Sequence, residues 1–117
     1  MGKKTGAEIK IRHLAIQEAT KIATYSPLSI LEACADVMPL AQLAVNKGNR
    51  NSISDAGVAA EMAHAGAQGG AMNVLINLSG IEDEAFCNEM KVKVEEILLS
   101  VNEQLMDIRK TVISALL

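Results

Sequence analysis

Asp55, Asn73 and Asn77 are the residues of this sequence whose types and spacing point most directly to chemistry. A carboxylate accepts a proton or stabilises positive charge, and primary amides donate to and accept from the polar edge of a ligand. On a helix of about 100° per residue, Asp55, Ala59, Met62, Gly66, Gly70, Asn73 and Asn77 share one narrow stripe. Asp55 stands near the predicted start of that helix, where the positive end of the dipole favours the ionised form of an acid, suiting a base or electrostatic partner. The bland reading of the same aspartate is a residue that only complements the dipole. Interior glycine costs about 0.8–1.0 kcal/mol relative to alanine, and Gly57, Gly66, Gly69 and Gly70 all lie in this segment. Close approach of another helix, or of a flat ligand, must offset that cost; from spacing alone, helix packing is the favoured reading. Asp55 and Asn73 also stand about 27 Å apart along the axis, so one straight helix cannot offer both to a single reacting atom. Two copies crossing antiparallel bring Asp55 of one chain near Asn73 and Asn77 of the other, which predicts composite sites at a dimer interface.

Four helices account for the elements that must position these groups. Ile9, His13, Ile16, Thr20 and Ala23 recur at helical spacing from about residue 7 to 24. Ser26-Pro27 offers an N-cap followed by proline at the first helical position, and Leu31, Cys34, Met38, Gln42 and Val45 carry a second helix to Gly48, with a kink expected at Pro39. After the loop Gly48-Asn-Arg-Asn-Ser52, Ser52 and Asp55 resemble a capping box for the third helix, which ends at Ser79-Gly80. Ser79 and Glu82, with Asp83 and Glu84, open the fourth. There Phe86, Met90, Val94, Ile97, Val101, Leu105, Ile108, Val112 and Leu116 form one long stripe, mostly of eleven-residue period, whose length predicts packing on a second chain. The fold class is therefore all-α: one domain over residues 1–117, an antiparallel bundle of about four helices with a long last helix, in an oligomer.

Composition excludes several function classes. With 2% aromatic residues and a net charge of −3, the chain offers neither stacking platforms nor a basic footprint for nucleic acid. Residues 56–78, the most apolar region, are interrupted by Glu61, His64, Gln68, Asn73 and Asn77 and fall short of a membrane span. Lys3 and Lys4 are not followed by an apolar signal core, and Gly6 occupies the hydroxyl position of a myristoylation pattern, so a cytoplasmic location is expected. Cys34 and Cys87 are isolated and read as reduced structural thiols, His13 and His64 belong to no motif, and no metal site is expected.

The run Lys47-Gly-Asn-Arg-Asn-Ser-Ile-Ser-Asp-Ala-Gly-Val-Ala59, followed by Gly70-Ala-Met-Asn-Val-Leu-Ile-Asn-Leu78, resembles the formiminotetrahydrofolate cyclodeaminase and methenyltetrahydrofolate cyclohydrolase family. The match rests on Gly48-Asn49, on Ser54-Asp55 and on Asn73-Val-Leu-Ile-Asn77, with flanks at Ala15-Ile-Gln-Glu-Ala-Thr20 and Ser26-Pro27-Leu28. The resemblance implies a dimeric, cytosolic, all-helical enzyme of one-carbon metabolism that takes a reduced folate as substrate and holds no other cofactor tightly. It implies catalytic roles for Asp55, Asn73 and Asn77, and places Asn49, Arg50, Ser54, Gly66 and Gly70 at the folate. In the cyclodeaminase the formimino group closes onto the second folate nitrogen and ammonia leaves; in the cyclohydrolase water opens the methenyl bridge. The family's upstream Pro-Gly-Gly-Gly-Ser-type segment has no counterpart in this sequence, which therefore looks like the C-terminal part of such an enzyme. A non-catalytic oligomerisation module and a half-site subunit are the rival readings.

Overall fold

The computed structural model describes residues 5–117. Lys3 and Lys4 lie outside the described residues. The described residues form three helices, not four: α1 (Gly6–Lys47), α2 (Arg50–Leu78) and α3 (Glu84–Leu116). The first two predicted helices are one. Pro27 and Pro39 both lie inside α1, although each removes a backbone donor and frees the carbonyl four residues before it. Tertiary contacts upstream of Ser26-Pro27 and at the junction explain why this local start signal does not begin a separate helix. Upstream, the Gln17 amide donates to the Gly80 carbonyl at 2.9 Å, while its oxygen accepts from the Glu82 N–H at 2.9 Å. At the junction itself, α2 presses Gly70 directly onto the Pro27 carbonyl and the Leu31 backbone. Thr24, fully buried beside the junction, satisfies its hydroxyl by donating to the Thr20 carbonyl at 2.9 Å.

The caps also fall elsewhere than expected. Thr5 and Glu8 form a capping box that opens α1. Asn49, not Ser52, caps α2, its side chain accepting from the Ser52 N–H at 3.0 Å. Asp83, not Ser79, caps α3 by accepting from the Phe86 N–H at 3.1 Å, while Ser79 ends α2. The predicted long stripe of the last helix holds throughout: Met90, Val94, Val101, Leu105 and Ile108 are buried and the other four half-buried. Its partners among the described residues are α1 and α2 of the same chain.

The core is thin because α2 contributes mainly small residues. Ala56, Ala60, Ala63, Ala67, Gly70 and Ala71 face inward between Ile53 and Val74, letting α1 approach closely with Leu28, Leu31, Met38 and Val45. The radius of gyration is 20.0 Å and the molecule measures 71 × 27 × 17 Å, against about 13 Å expected for the radius of a spherical domain of this length. So elongated a molecule leaves much apolar surface outside. Ile9, Ile11, Leu14, Ile22 and Leu40 on α1 are more than half exposed, and so are Met62 and Met72 on α2 and Met106 on α3, whereas Met38 and Met90 belong to the core. Because α1 is continuous, it includes an 18-residue window of mean hydropathy 1.5, 28% of it buried, that is by length and composition long and apolar enough to cross a membrane.

A polar clasp ties the first half of α1 to the turn between α2 and α3. Lys21 Nζ lies 2.7 Å from an Asp83 oxygen and 5.6 Å from the centroid of the Phe86 ring, and His13 meets Glu82 at 2.9 Å. The Lys21 ammonium, and then the Phe86 N–H, hold the Asp83 carboxyl below its ordinary value of 3.8. An acid with a lowered native pKa contributes its full stabilisation above its unfolded value and loses it as pH falls through the lowered one. Acidification below about pH 3.8 is therefore expected to open the clasp before the core melts. The Phe86 amide resonance, followed by NMR through an acid titration, should move with Asp83 protonation, and Asp83→Asn should abolish that movement.

Candidate functional site

The structure separates the predicted site residues into three places. Asn49 and Arg50 lie at the start of α2, already engaged: Asn49 as the cap and Arg50 through Nη2, which donates to the Leu116 carbonyl at 3.0 Å and ties α2 to the end of α3. Ser54 lines an open apolar groove of about 280 Å³ between the first turns of α2 and the last turns of α3. Asp55, Asn73 and Asn77 occupy the flank of α2 that adjoins α1, the same stripe as Gly66 and Gly70.

The two glycines of that stripe meet this chain's own α1. A Cβ at Gly66 would lie 2.6 Å from Cys34 Sγ, and one at Gly70 would lie 3.0 Å from both the Leu31 nitrogen and the Pro27 carbonyl oxygen. Packing is thus what these glycines serve, with α1 as the neighbour in place of a second chain. Gly69 is the contrast, because a Cβ there would meet nothing within 4 Å.

Relocating the cap changes the reading of Asp55. With Asn49 as N-cap and Arg50 as the first helical residue, no acidic side chain stands in the first turn of α2. Asp55 is on the second turn, beyond the reach of the dipole's strongest effect. Exposed, it makes no hydrogen bond or ion pair among the described residues. The structural duties that would explain an aspartate there, a capping box or a dipole partner, are therefore not its role. Asn73 is exposed and Asn77 half-buried, and neither amide is drawn into the end of the helix, which closes through Ser79. The stripe leaves a free carboxylate near one end and two uncommitted amides near the other, about 27 Å apart by helical rise.

The apolar groove is a feature the sequence did not disclose. Arg109 spans it to Glu61, with Nε at 2.8 Å and Nη2 at 2.5 Å from the carboxylate oxygens, a forked pairing across α2 and α3. The guanidinium hydrogen bonds hold the Glu61 carboxyl below its ordinary range. Forty-eight residues separate the two in the chain, so no local pattern announces the pair. His64 meets Asn102 at 2.8 Å, another α2–α3 tie, and Cys34 and Cys87 are free thiols, with Cys87 Sγ 3.5 Å from the Ile81 carbonyl. Among the described residues no three His, Cys, Asp or Glu side chains group as metal ligands.

Comparison with known proteins agrees with the motifs on α2. Residues 1–96 match the family described as formiminotransferase-cyclodeaminase. The chain is 40% identical over 112 residues to a methenyltetrahydrofolate cyclohydrolase of Methylorubrum extorquens, an alignment covering 93% of this chain and 54% of that protein. It is 31% identical over 102 residues to the formimidoyltransferase-cyclodeaminase of Rattus norvegicus, and 33% over 93 residues to that of Sus scrofa. Those alignments take in 87% and 80% of this chain but 19% and 17% of the mammalian proteins. The chain spans about half the length of the bacterial relative and about a fifth of the mammalian ones. With the family match running through all of α1 and α2 and into α3, this chain belongs to the formiminotransferase-cyclodeaminase family.

Proposed function

We propose that this chain forms part of a folate-binding catalytic site of one-carbon metabolism, acting in the cytoplasm as a homo-oligomer. Its reaction is hydrolysis of the methenyl bridge of 5,10-methenyltetrahydrofolate, or closure of 5-formiminotetrahydrofolate to that same compound with loss of ammonia. One observation carries the reading: the family match includes a flank of α2 on which Asp55, Asn73 and Asn77 reach solvent with no structural duty to explain Asp55. Both reactions pass through a tetrahedral carbon between two nitrogens. The Asp55 carboxylate takes a proton from the attacking water or amine, and the amides of Asn73 and Asn77 donate to the substrate's polar edge. Higher identity to a cyclohydrolase than to the cyclodeaminases makes hydrolysis the first reaction to assay. The half-length match supports a second reading, in which the chain is a half-site subunit completed by another polypeptide or a module that only oligomerises.

Calorimetric titration with 5-formyltetrahydrofolate, alongside measurement of mass in solution, separates these readings. Saturable binding at a fixed folate-to-oligomer ratio is expected. A well-folded oligomer that takes up no folate would transfer the site to the other polypeptide and leave this chain a scaffold.

A further inference from the structure

We propose that the outer face of α2 pairs antiparallel with the same face of a second copy about a two-fold axis at Ala67, so that Asp55 of one chain and Asn77 of the other share one site. The proposal rests on the oligomer named in the functional reading and specifies its register. Val58, Met62, Ala65, Gly69, Met72 and Ile76 follow one another at spacings of four, three, four, three and four, a seam that stays on one face of a helix. The stretch from Met62 to Met72 lies opposite the buried row Ala60, Ala63, Ala67, Ala71 and Val74, while Val58 at one end of the seam also borders the apolar groove that α2 forms with α3. Val58 is 60%, Met62 69%, Met72 66% and Ile76 67% exposed, yet no charge interrupts them. The charged or polar Glu61 and His64, one turn apart, are turned instead toward Arg109 and Asn102 of α3.

The order of sizes selects the occupant. Reading outward from Ala67 in either direction, the seam presents a small residue at two positions, a methionine at five and a β-branched residue at nine. A two-fold interface requires this symmetry, since residue i must meet residue j and j must meet i. Antiparallel pairing about Ala67 sets Ala65 against Gly69, Met62 against Met72 and Val58 against Ile76, each pair occurring twice. At the centre the helices can approach closely, because a Cβ at Gly69 meets nothing of its own chain.

This register also solves the separation of the polar groups. A two-fold axis normal to the plane of the two helices keeps the α1-side flanks of both copies on the same side of the seam. Ser79 of the second copy then stands abreast of Asp55, with Asn77 about 3 Å further along and Asn73 about 9 Å. Carboxylate and amide meet twice per dimer, although within one chain they are far apart.

Charge exchange across the seam tests the register. Met62→Glu and Met72→Lys each place two unpaired charges in the dimer and are expected to raise its dissociation constant by at least about 100-fold in sedimentation equilibrium. The doubly substituted chain, in which each new carboxylate faces a new ammonium, should recover dimers. Gly69→Leu should weaken association with unchanged or greater far-UV helicity, a check that does not depend on how charged variants fold. A monomeric wild-type chain, single variants that remain dimeric, or a double variant without recovery would each overturn the pairing. Folate titration keeps the two readings apart: dimers of this register that bind no folate would remove the folate site alone, and a monomeric Met62→Glu chain that still binds it would remove the shared site.

Discussion

Gly70→Leu is expected to destabilise the folded chain by about 3 kcal/mol or more, lowering the thermal midpoint by roughly 10 °C. The atoms that a side chain would strike are backbone, at 3.0 Å from the Pro27 carbonyl oxygen and the Leu31 nitrogen and 3.2 Å from the Leu31 Cα. A flexible side chain could turn away, as Cys34 can beside Gly66; a helical backbone cannot yield without moving the whole of α1 away from α2. That displacement would unpack Leu31 and Val74, both fully buried. The next glycine makes the control. Gly69→Ala meets nothing of its own chain within 4 Å, so in a chain held monomeric by Met62→Glu it keeps the gain in helix propensity of about 0.8–1.0 kcal/mol over glycine and should raise the midpoint. Thermal melts of the two variants followed by circular dichroism check the pair. A Gly70→Leu protein as stable as wild type would mean that α1 does not rest on α2 at this point.

Asp55→Asn is expected to lower turnover by about 10²–10⁴-fold, the usual contribution of a general base, while leaving the melting curve unchanged. The substitution keeps the size and polarity of the side chain and removes its capacity to hold a proton. Because Asp55 is exposed and outside the cap of α2, nothing in the fold depends on its charge. Loss of the methenyl absorbance with time, measured on protein shown to bind folate, reports the reaction directly. Activity within twofold of wild type would exclude Asp55 as the base, and a loss of activity accompanied by a loss of stability would assign it a structural role instead.

How far these residues could be read from the chain alone depended on the range of the interaction involved. Helical periodicity is local, so the all-α class, the nine-residue stripe of α3 and the breaks near Gly48 and Gly80 were legible before any packing was known. The motif around Ser54-Asp55 and Asn73 to Asn77 was legible for the same reason, as a pattern of residue types at short spacing, and it led to the family that the comparisons establish. Signals with a local competitor were misleading. Ser26-Pro27 has the form of a helix start, and Ser52 with Asp55 the form of a capping box; in the folded chain Gly70 and Gln17 hold α1 together across the first, and Asn49 takes the cap from the second.

The sequence by itself determined that α2 has a small-residue stripe, because a helix repeats every 3.6 residues wherever it is placed. It did not determine which neighbour that stripe meets. Only the tertiary structure decided that Gly66 and Gly70 are spent on α1, that Glu61 reaches Arg109 and that Gly69 with its apolar companions remains outside. The reason is geometric: periodicity assigns residues to faces, whereas the packing of three helices decides which faces are covered.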